Sequence, residues 1–137
     1  MRQKSIYVKI GFGCVLAALF ASGAQARFKV LHSFAGGFDG SHPQADLFID
    51  SSGVLYGTTT AGGIGGNMGT VFKIVPGGKE KVLHAFSGGA ADGAQPSGGV
   101  IADKQGNLYG LTAGGGANGL GVVYKLAPDG GETLVHT

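Results

Sequence analysis

Three histidines recur at a constant spacing and are the first residues of this chain that suggest chemistry. His32, His84 and His136 lie 52 residues apart, and each follows two aliphatic residues. Histidine is the commonest metal ligand, but equivalent positions in neighbouring repeats usually lie too far apart to share one ion. We therefore predict that these histidines are structural residues that bond to neighbouring backbone, and we predict neither a metal site nor a cofactor.

Two aspartates lie in glycine-rich loops with the pattern Gly-Gly, then Asp-Gly, then Pro. Asp39 and Asp92 each precede a glycine there, and carboxylate oxygens are ligands that Ca²⁺ prefers. Each loop offers only one carboxylate, however, and no D-x-D-x-D-G run is present. The pattern favours an aspartate that caps its own turn through local backbone hydrogen bonds.

Two tyrosines, Tyr56 and Tyr109, lie in Leu-Tyr-Gly segments and could stack on sugars if exposed, although a packing role is favoured. No serine has the G-x-S-x-G context of a nucleophile. The glycine runs at 62–69 and 114–119 lack the Lys-Ser/Thr of a phosphate loop. The sequence therefore assigns no catalytic residue, and it leaves four loop candidates for binding: Asp39, Asp92, Tyr56 and Tyr109.

The first 26 residues have the three-part layout of a secretory signal peptide. A basic start is followed by an apolar stretch, and Ala24 and Ala26 occupy the positions that a signal peptidase reads. We expect cleavage before Arg27 and export to the periplasm, the exterior or the cell surface, with membrane contact only during export. Cleavage also removes Cys14, the only cysteine, so the mature chain would hold no disulfide.

Once the leader is removed, the chain is close to neutral. Residues 27–137 hold seven Lys and Arg against eight Asp and Glu, a net charge of −1 in place of the +2 of the whole chain. A basic chain would have suggested nucleic acid, so this balance argues against such a partner.

Glycine accounts for 29 of the 137 residues and falls in short clusters between apolar runs, which is a turn pattern.

The chain after the leader is a tandem repeat that we expect to form one domain, residues 27–137. The copies are residues 29–80 and 81–132 and the start of a third, 133–137. Each full copy has four short apolar runs, separated by Gly, Asp and Pro turns, and no run has helical length or period. The predicted strands are 45–50, 54–59, 70–75 and 81–86 in one unit and 99–103, 107–112, 122–126 and 133–136 in the next.

Four antiparallel strands in a unit of this length are typical of a β-propeller blade. We therefore predict an all-β fold of two four-stranded antiparallel propeller-like blades, with Phe28–Phe34 as an extra N-terminal strand. Two blades fall short of the roughly 4–8 that close a ring. The blades would have to form a small sandwich, assemble with other copies of the chain, or belong to a longer repeat protein of which this chain is a truncated fragment.

Long motifs recur in both copies. The second copy contains FSGGAADGAQPSGGV, GNLYGLTAGGG and GVVYKLAPDGG, and the first contains FAGGFDGSHPQADL, GVLYGTTTAGG and GTVFKIVPGG. Over residues 29–137 these motifs resemble the glycine-rich Gloeo/Verruco (GloVer) tandem repeat of exported bacterial proteins. The resemblance implies many-copy, propeller-like extracellular proteins, often with a C-terminal sorting anchor, and it implies no catalytic residues. This chain differs from that pattern in its few copies and in the absence of such an anchor.

The sequence leads to two functional hypotheses from different classes. The first is a secreted, non-catalytic repeat protein, a structural or binding module whose partner is another copy, a carbohydrate or a cell surface. The alternative is an exported carbohydrate-active enzyme, a lyase or hydrolase formed from an assembled ring. That enzyme would need Asp46, Asp50 or Asp103 to converge with carboxylates of other copies.

Overall fold

A computed structural model describes residues 27–137, and the predicted signal peptide with Ala24, Ala26 and Cys14 lies outside the described residues. Residues 27–137 contain nine β-strands and no helix, which confirms the all-β prediction. This part of the chain accordingly has no helix that could cross a membrane. The strands are β1 (Phe48–Ile49), β2 (Leu55–Thr59), β3 (Thr70–Ile74), β4 (Glu80–Ala85), β5 (Gly93–Pro96), β6 (Ile101–Ala102), β7 (Leu108–Gly115), β8 (Val123–Leu126) and β9 (Glu132–His136).

The strands form two antiparallel sheets of four and five strands. The first sheet has the order β1-β2-β3-β4, and the second has the order β5-β7-β8-β9 with β6 also paired to β7. In the second sheet, β6 pairs with the N-terminal part of β7 and β5 with its C-terminal part. The fifth strand therefore lengthens the edge of the second sheet and does not widen it.

Glycine closes the hairpin turns at the positions that the sequence predicts. Gly53 and Gly106 have φ angles of 79° and 83°, in the left-handed region that glycine adopts without steric cost. Their amides donate hydrogen bonds to the carbonyls of Asp50 and Asp103 at 3.0 and 3.1 Å. The two copies consequently share one hairpin geometry.

The Leu-Tyr-Gly segments have a structural reason for their glycine. Gly57 lies directly opposite Phe72 in the β2–β3 pair, and Gly110 lies opposite Tyr124 in the β7–β8 pair. The aromatic ring in each pair lies across the glycine, since a Cβ on Gly57 would come within 2.7 Å of the Phe72 ring. The missing side chain thus makes room for a large aromatic ring, a known compensation for glycine in a strand.

The hydrophobic core lies between the two sheets. Phe86 is fully buried just after β4, and its ring meets Tyr124 of β8 edge-on at a centroid distance of 5.1 Å. An aromatic pair of this kind adds about 0.5–1.5 kcal/mol beyond the burial of its area. The other core residues, each at most 4 % exposed, are Val71, Val100, Leu108, Val122 and Leu126.

The two sheets come close enough at one point to exclude any side chain. A Cβ on Gly99 would lie 2.5 Å from the carbonyl oxygen of Asp46, so a larger residue there would push the sheets apart. Nearby, the hydroxyl of Thr58 donates a hydrogen bond to the carbonyl of Gly98 at 2.9 Å. The first copy has Asp46 at the position of Gly99, where its side chain is exposed.

The prediction of a strand at Phe28–Phe34 is wrong. This segment has no strand pairing, although it is the counterpart of β4 and β9. Those two strands pair with β3 and β8, and the described chain places no equivalent strand beside Phe28–Phe34. The segment is held by side chains instead, with the Phe34 ring against Phe72 at 5.0 Å.

The sequence also missed one strand. β5, Gly93–Pro96, lies in the stretch interpreted as a glycine-rich loop, and it pairs with the end of β7. In the first copy the corresponding contact is a single bridge between Ser41 and Ala61. Short pairings of this type depend on a distant partner strand and leave no periodic signal in the sequence.

Truncation of the Phe86 ring, in the core between the sheets, should cost more stability than truncation of a ring on the surface. Phe86→Ala should lower the free energy of unfolding by about 3–5 kcal/mol because it leaves a cavity between the sheets. Phe38→Ala removes a ring that is 74 % exposed and should change stability by less than about 0.5 kcal/mol. Urea unfolding followed by circular dichroism measures both, and equal losses would contradict this core.

Candidate functional site

Two carboxylates converge on one imidazole where the first sheet joins the second. The Nε2 atom of His84 lies 3.2 Å from Oδ1 of Asp92 and 3.4 Å from Oε2 of Glu132. The three side chains are 19 %, 12 % and 15 % exposed. Within residues 27–137 they are the one set of three metal-ligating side chains whose ligand atoms all lie within 4.8 Å of one another.

Each of the three side chains comes from a different element. His84 lies in β4 of the first sheet, Asp92 directly precedes β5, and Glu132 is the first residue of β9 in the second sheet. Strand pairing fixes the backbones of β4 and β9. The His84 ring also packs edge-on against Phe86 at 4.7 Å, so the core residue that joins the sheets orients the imidazole.

Asp92 is anchored by its own turn. Its Oδ2 accepts hydrogen bonds from the amide and the hydroxyl of Ser87, both at 2.7 Å, and its Oδ1 accepts one from the Gly93 amide at 2.6 Å. Burial by itself would raise the pKa of Asp92, but the hydrogen bonds, led by those from Ser87, outweigh it and hold the pKa below its usual value. The carboxylate is therefore ionised and has a fixed orientation.

Glu132 is held in a less favourable environment. Its Oε1 is buried and has no hydrogen-bond partner. Burial raises the pKa of Glu132, and the charge of His84 opposes that rise. The charge of Asp92 and a side-chain hydrogen bond with Asp92 both add to it. A buried carboxylate oxygen without a donor costs free energy, whereas the other oxygen, Oε2, faces His84.

The first copy contains the same three residue types in the same order. His32 Nε2 lies 3.3 Å from Oδ2 of Asp39, and Oε1 of Glu80 is buried without a partner, like that of Glu132. Burial raises the pKa of Glu80, with His32 opposing the rise and Asp39 adding to it. The repeat thus carries one His, one Asp and one Glu per copy at this position.

A second recurrent contact joins the tyrosine candidates to the hairpin turns. The Tyr56 hydroxyl donates a hydrogen bond to Asp50 at 3.2 Å, and the Tyr109 hydroxyl donates one to Asp103 at 3.1 Å. Both tyrosines are half-buried. Each aspartate also accepts hydrogen bonds from the amides two and four residues further along the chain. These four side chains therefore brace the turns of their own hairpins.

Asp50 and Asp103, two of the carboxylates considered for an enzyme, both line a cleft of about 350 Å³ between the hairpins. The pKa of Asp50 is lowered, chiefly by the hydrogen bond from the Val54 amide. The pKa of Asp103 is lowered, chiefly by the side chain of Asn107. A glycosidase needs one carboxyl whose pKa is raised so that it can act as an acid. The pKa of both Asp50 and Asp103 is lowered instead.

The histidines of the two full copies lie in separate clusters, and each cluster also contains a glutamate. The sequence predicts that the histidines bond to neighbouring backbone, but Nε2 of His32 and Nε2 of His84 contact the carboxylates of Asp39 and Asp92 in two different clusters. His136 is exposed in β9. Sequence reasoning missed Glu80 and Glu132 as site residues. The available signal was their spacing of 52 residues, equal to that of the histidines.

Comparison with protein families matches residues 12–137 to the Gloeobacter/Verrucomicrobia repeat. The match covers nearly the whole chain and begins inside the predicted leader. The resemblance inferred from the recurrent motifs is therefore confirmed. No curated protein and no solved structure matches the chain.

The turn role of Asp92 can be tested against its counterpart. Asp92→Asn should lower the free energy of unfolding by about 1–3 kcal/mol, because an amide cannot accept all the hydrogen bonds that the two carboxylate oxygens accept. Asp39→Asn is the matched control and should cost less, since Asp39 is partly exposed and accepts one such amide bond, from Ala35 at 2.9 Å. Urea unfolding gives both values, and a larger loss for Asp39→Asn would contradict this ranking.

Proposed function

We propose, since this chain belongs to the Gloeobacter/Verrucomicrobia repeat family, that it is an exported, non-catalytic repeat protein that associates head to tail with copies of itself. Its two sheets act as propeller-like blades, and its function is that of a structural or binding module. The observation that carries the proposal is an exposed apolar face on the second sheet. That face is the repeat counterpart of a face that the first sheet buries.

The contact between the two sheets within one chain is the model for the proposed contact between two copies. Three residues of the first copy pack against the core between the sheets: Phe48 in β1, Met68 in the β2–β3 loop and Leu83 in β4. The residues at the same repeat positions of the second copy are largely exposed, at 70 %, 85 % and 56 %: Ile101 in β6, Leu120 in the β7–β8 loop and Val135 in β9. Contiguous apolar surface that is left exposed on a folded protein marks an interaction site.

The opposite end of the molecule offers the complementary surface. Val100 is 4 % exposed in the inter-sheet core, whereas Leu47, its counterpart in the first sheet, is 54 % exposed. A second copy can therefore place its first sheet on this copy's second sheet and repeat the internal contact. Such a head-to-tail contact closes into a ring when its rotation closes, and otherwise it forms a filament. Repeat folds in general need about three or more units to bury a continuous core.

Export is the second part of the proposal. It is supported by the basic, apolar and small-residue segments of the leader, and it predicts a mature chain that begins at Arg27. A mature chain without cysteine would rely on packing between sheets for its stability in an oxidising compartment. Association with further copies would add to that packing.

Self-association should depend on the exposed face of the second sheet. Leu111 in β7 is 54 % exposed, and Leu120 in the adjoining β7–β8 loop is 85 % exposed. Leu111→Glu or Leu120→Glu would bury a charge in the proposed contact. We expect the purified protein to gain mass with concentration in analytical ultracentrifugation and either variant to remain monomeric. Ile64→Glu, at a position that is 65 % exposed in a loop of the first copy, is the matched control and should associate like the wild type. A wild-type protein that is monomeric at all concentrations would contradict the proposal.

Processing of the leader can be measured directly. Expression in a Gram-negative host followed by N-terminal sequencing of the exported protein should give Arg27 as the first residue. Ala26→Leu should block processing, because the peptidase requires a small side chain at that position, and the precursor mass should persist. Gln25→Leu, between the two small residues that the peptidase reads, is the matched control and should be processed normally. A mature protein that begins at a residue other than Arg27 would refute the predicted site.

A further inference from the structure

We propose that His84, Asp92 and Glu132 bind a divalent first-row transition metal ion of the Zn²⁺ type, and that this ion joins the first sheet to the second. The inference does not depend on self-association, because all three ligands belong to one chain. It reverses, for His84, the sequence prediction that the histidines are structural and bind no metal.

The spacing of the ligand atoms fits such an ion. Bonds of about 2.0–2.1 Å in tetrahedral geometry place neighbouring ligand atoms roughly 3.3–3.4 Å apart. The observed separations from His84 Nε2 are 3.2 Å to Asp92 and 3.4 Å to Glu132. The third pair of ligand atoms, on Asp92 and Glu132, lies within 4.8 Å, so small movements of the side chains would complete the site, with a water molecule as the fourth ligand.

The charges of the cluster also favour a cation. Two carboxylates face one imidazole, and a single proton on Nε2 cannot be donated fully to both. A divalent ion would neutralise both carboxylates, with the imidazole proton on Nδ1.

The ligand types define the class of metal. Ca²⁺ and Mg²⁺ take oxygen ligands, whereas an imidazole nitrogen suits Zn²⁺ and its neighbours in the first transition row. Asp92 has the outer hydrogen bonds that orient a metal ligand, since Oδ2 accepts two of them from Ser87 while Oδ1 faces the histidine. Such outer contacts commonly support metal sites.

Repetition of the cluster is an independent observation in its favour. His32, Asp39 and Glu80 reproduce the residue types, and Glu80 reproduces the buried oxygen without a partner. The first set is less complete, because within residues 27–137 no ion-pair contact joins Glu80 to His32. His32 lies in the segment that has no strand pairing, whereas His84 is fixed in β4. We therefore expect one metal site, at the second set.

The test uses the purified protein after treatment with a chelator. Calorimetric titration with Zn²⁺ should show one tight site. The midpoint temperature of thermal unfolding should rise when Zn²⁺ is added, because the ion binds only the folded chain. Titration with Ca²⁺ at the same concentrations should give neither effect. Absence of Zn²⁺ binding up to about 1 mM, or equal binding of Ca²⁺, would overturn the proposal.

Matched variants identify the ligands. Glu132→Gln keeps the shape of the side chain and should weaken the tight site by at least about tenfold. Glu80→Gln, the same change at the equivalent position, should leave the tight site intact. Tight binding that survives Glu132→Gln unchanged would overturn the assignment of the ligands.

A spectroscopic measurement covers the case in which Glu132→Gln fails to fold. Co²⁺ in place of Zn²⁺ in the wild type should give the intense visible absorption of a tetrahedral site. His84→Gln should abolish that absorption while the circular dichroism spectrum stays that of the wild type. Wild-type protein that binds Co²⁺ with only the weak absorption of an octahedral ion would count against the site.

Discussion

The contact between the two sheets depends on the short segment that leaves β4 and enters the second sheet. This segment inserts Phe86, which is fully buried, against Tyr124, and the Phe86 amide donates a hydrogen bond to the carbonyl of Gly69 at 3.0 Å. It then supplies Asp92, which turns the chain into β5. Because the outer strand of one sheet continues directly into the core of the next, neither sheet is a closed unit. Burial of apolar area at this junction is the main term that stabilises the pair.

The same junction explains why polar groups recur at a buried position. Each copy brings a histidine from the strand before the junction and an aspartate from the turn after it, and a glutamate begins the outer strand of the sheet that follows. In the second set all three groups meet, since β4 and β9 are both paired strands. In the first set His32 lies in an unpaired segment. The cluster is therefore complete where paired strands hold its histidine and glutamate, and incomplete where its histidine lies in an unpaired segment.

An open-ended repeat of this type exposes at its ends what it buries in its middle. Val100 is buried between the sheets and its counterpart Leu47 is exposed, and the same holds for Phe48, which packs on the core, and the exposed Ile101. A sheet that lacks a neighbour keeps the side chains that a neighbour would cover. Both proposals, the head-to-tail contact and the metal ion between sheets, concern the way in which successive sheets are joined.

The sequence by itself determined the repeat, the all-β class and the hairpins. These features are local: Gly53 closes a turn because of its own φ angle, and strand-forming residues lie between such turns. Only the tertiary structure decided that Phe28–Phe34 has no strand partner and that Glu132 meets His84 across 48 positions of the chain. Strand pairing and clusters of charged side chains join distant residues, and the composition of a segment does not reveal which distant residue will lie beside it.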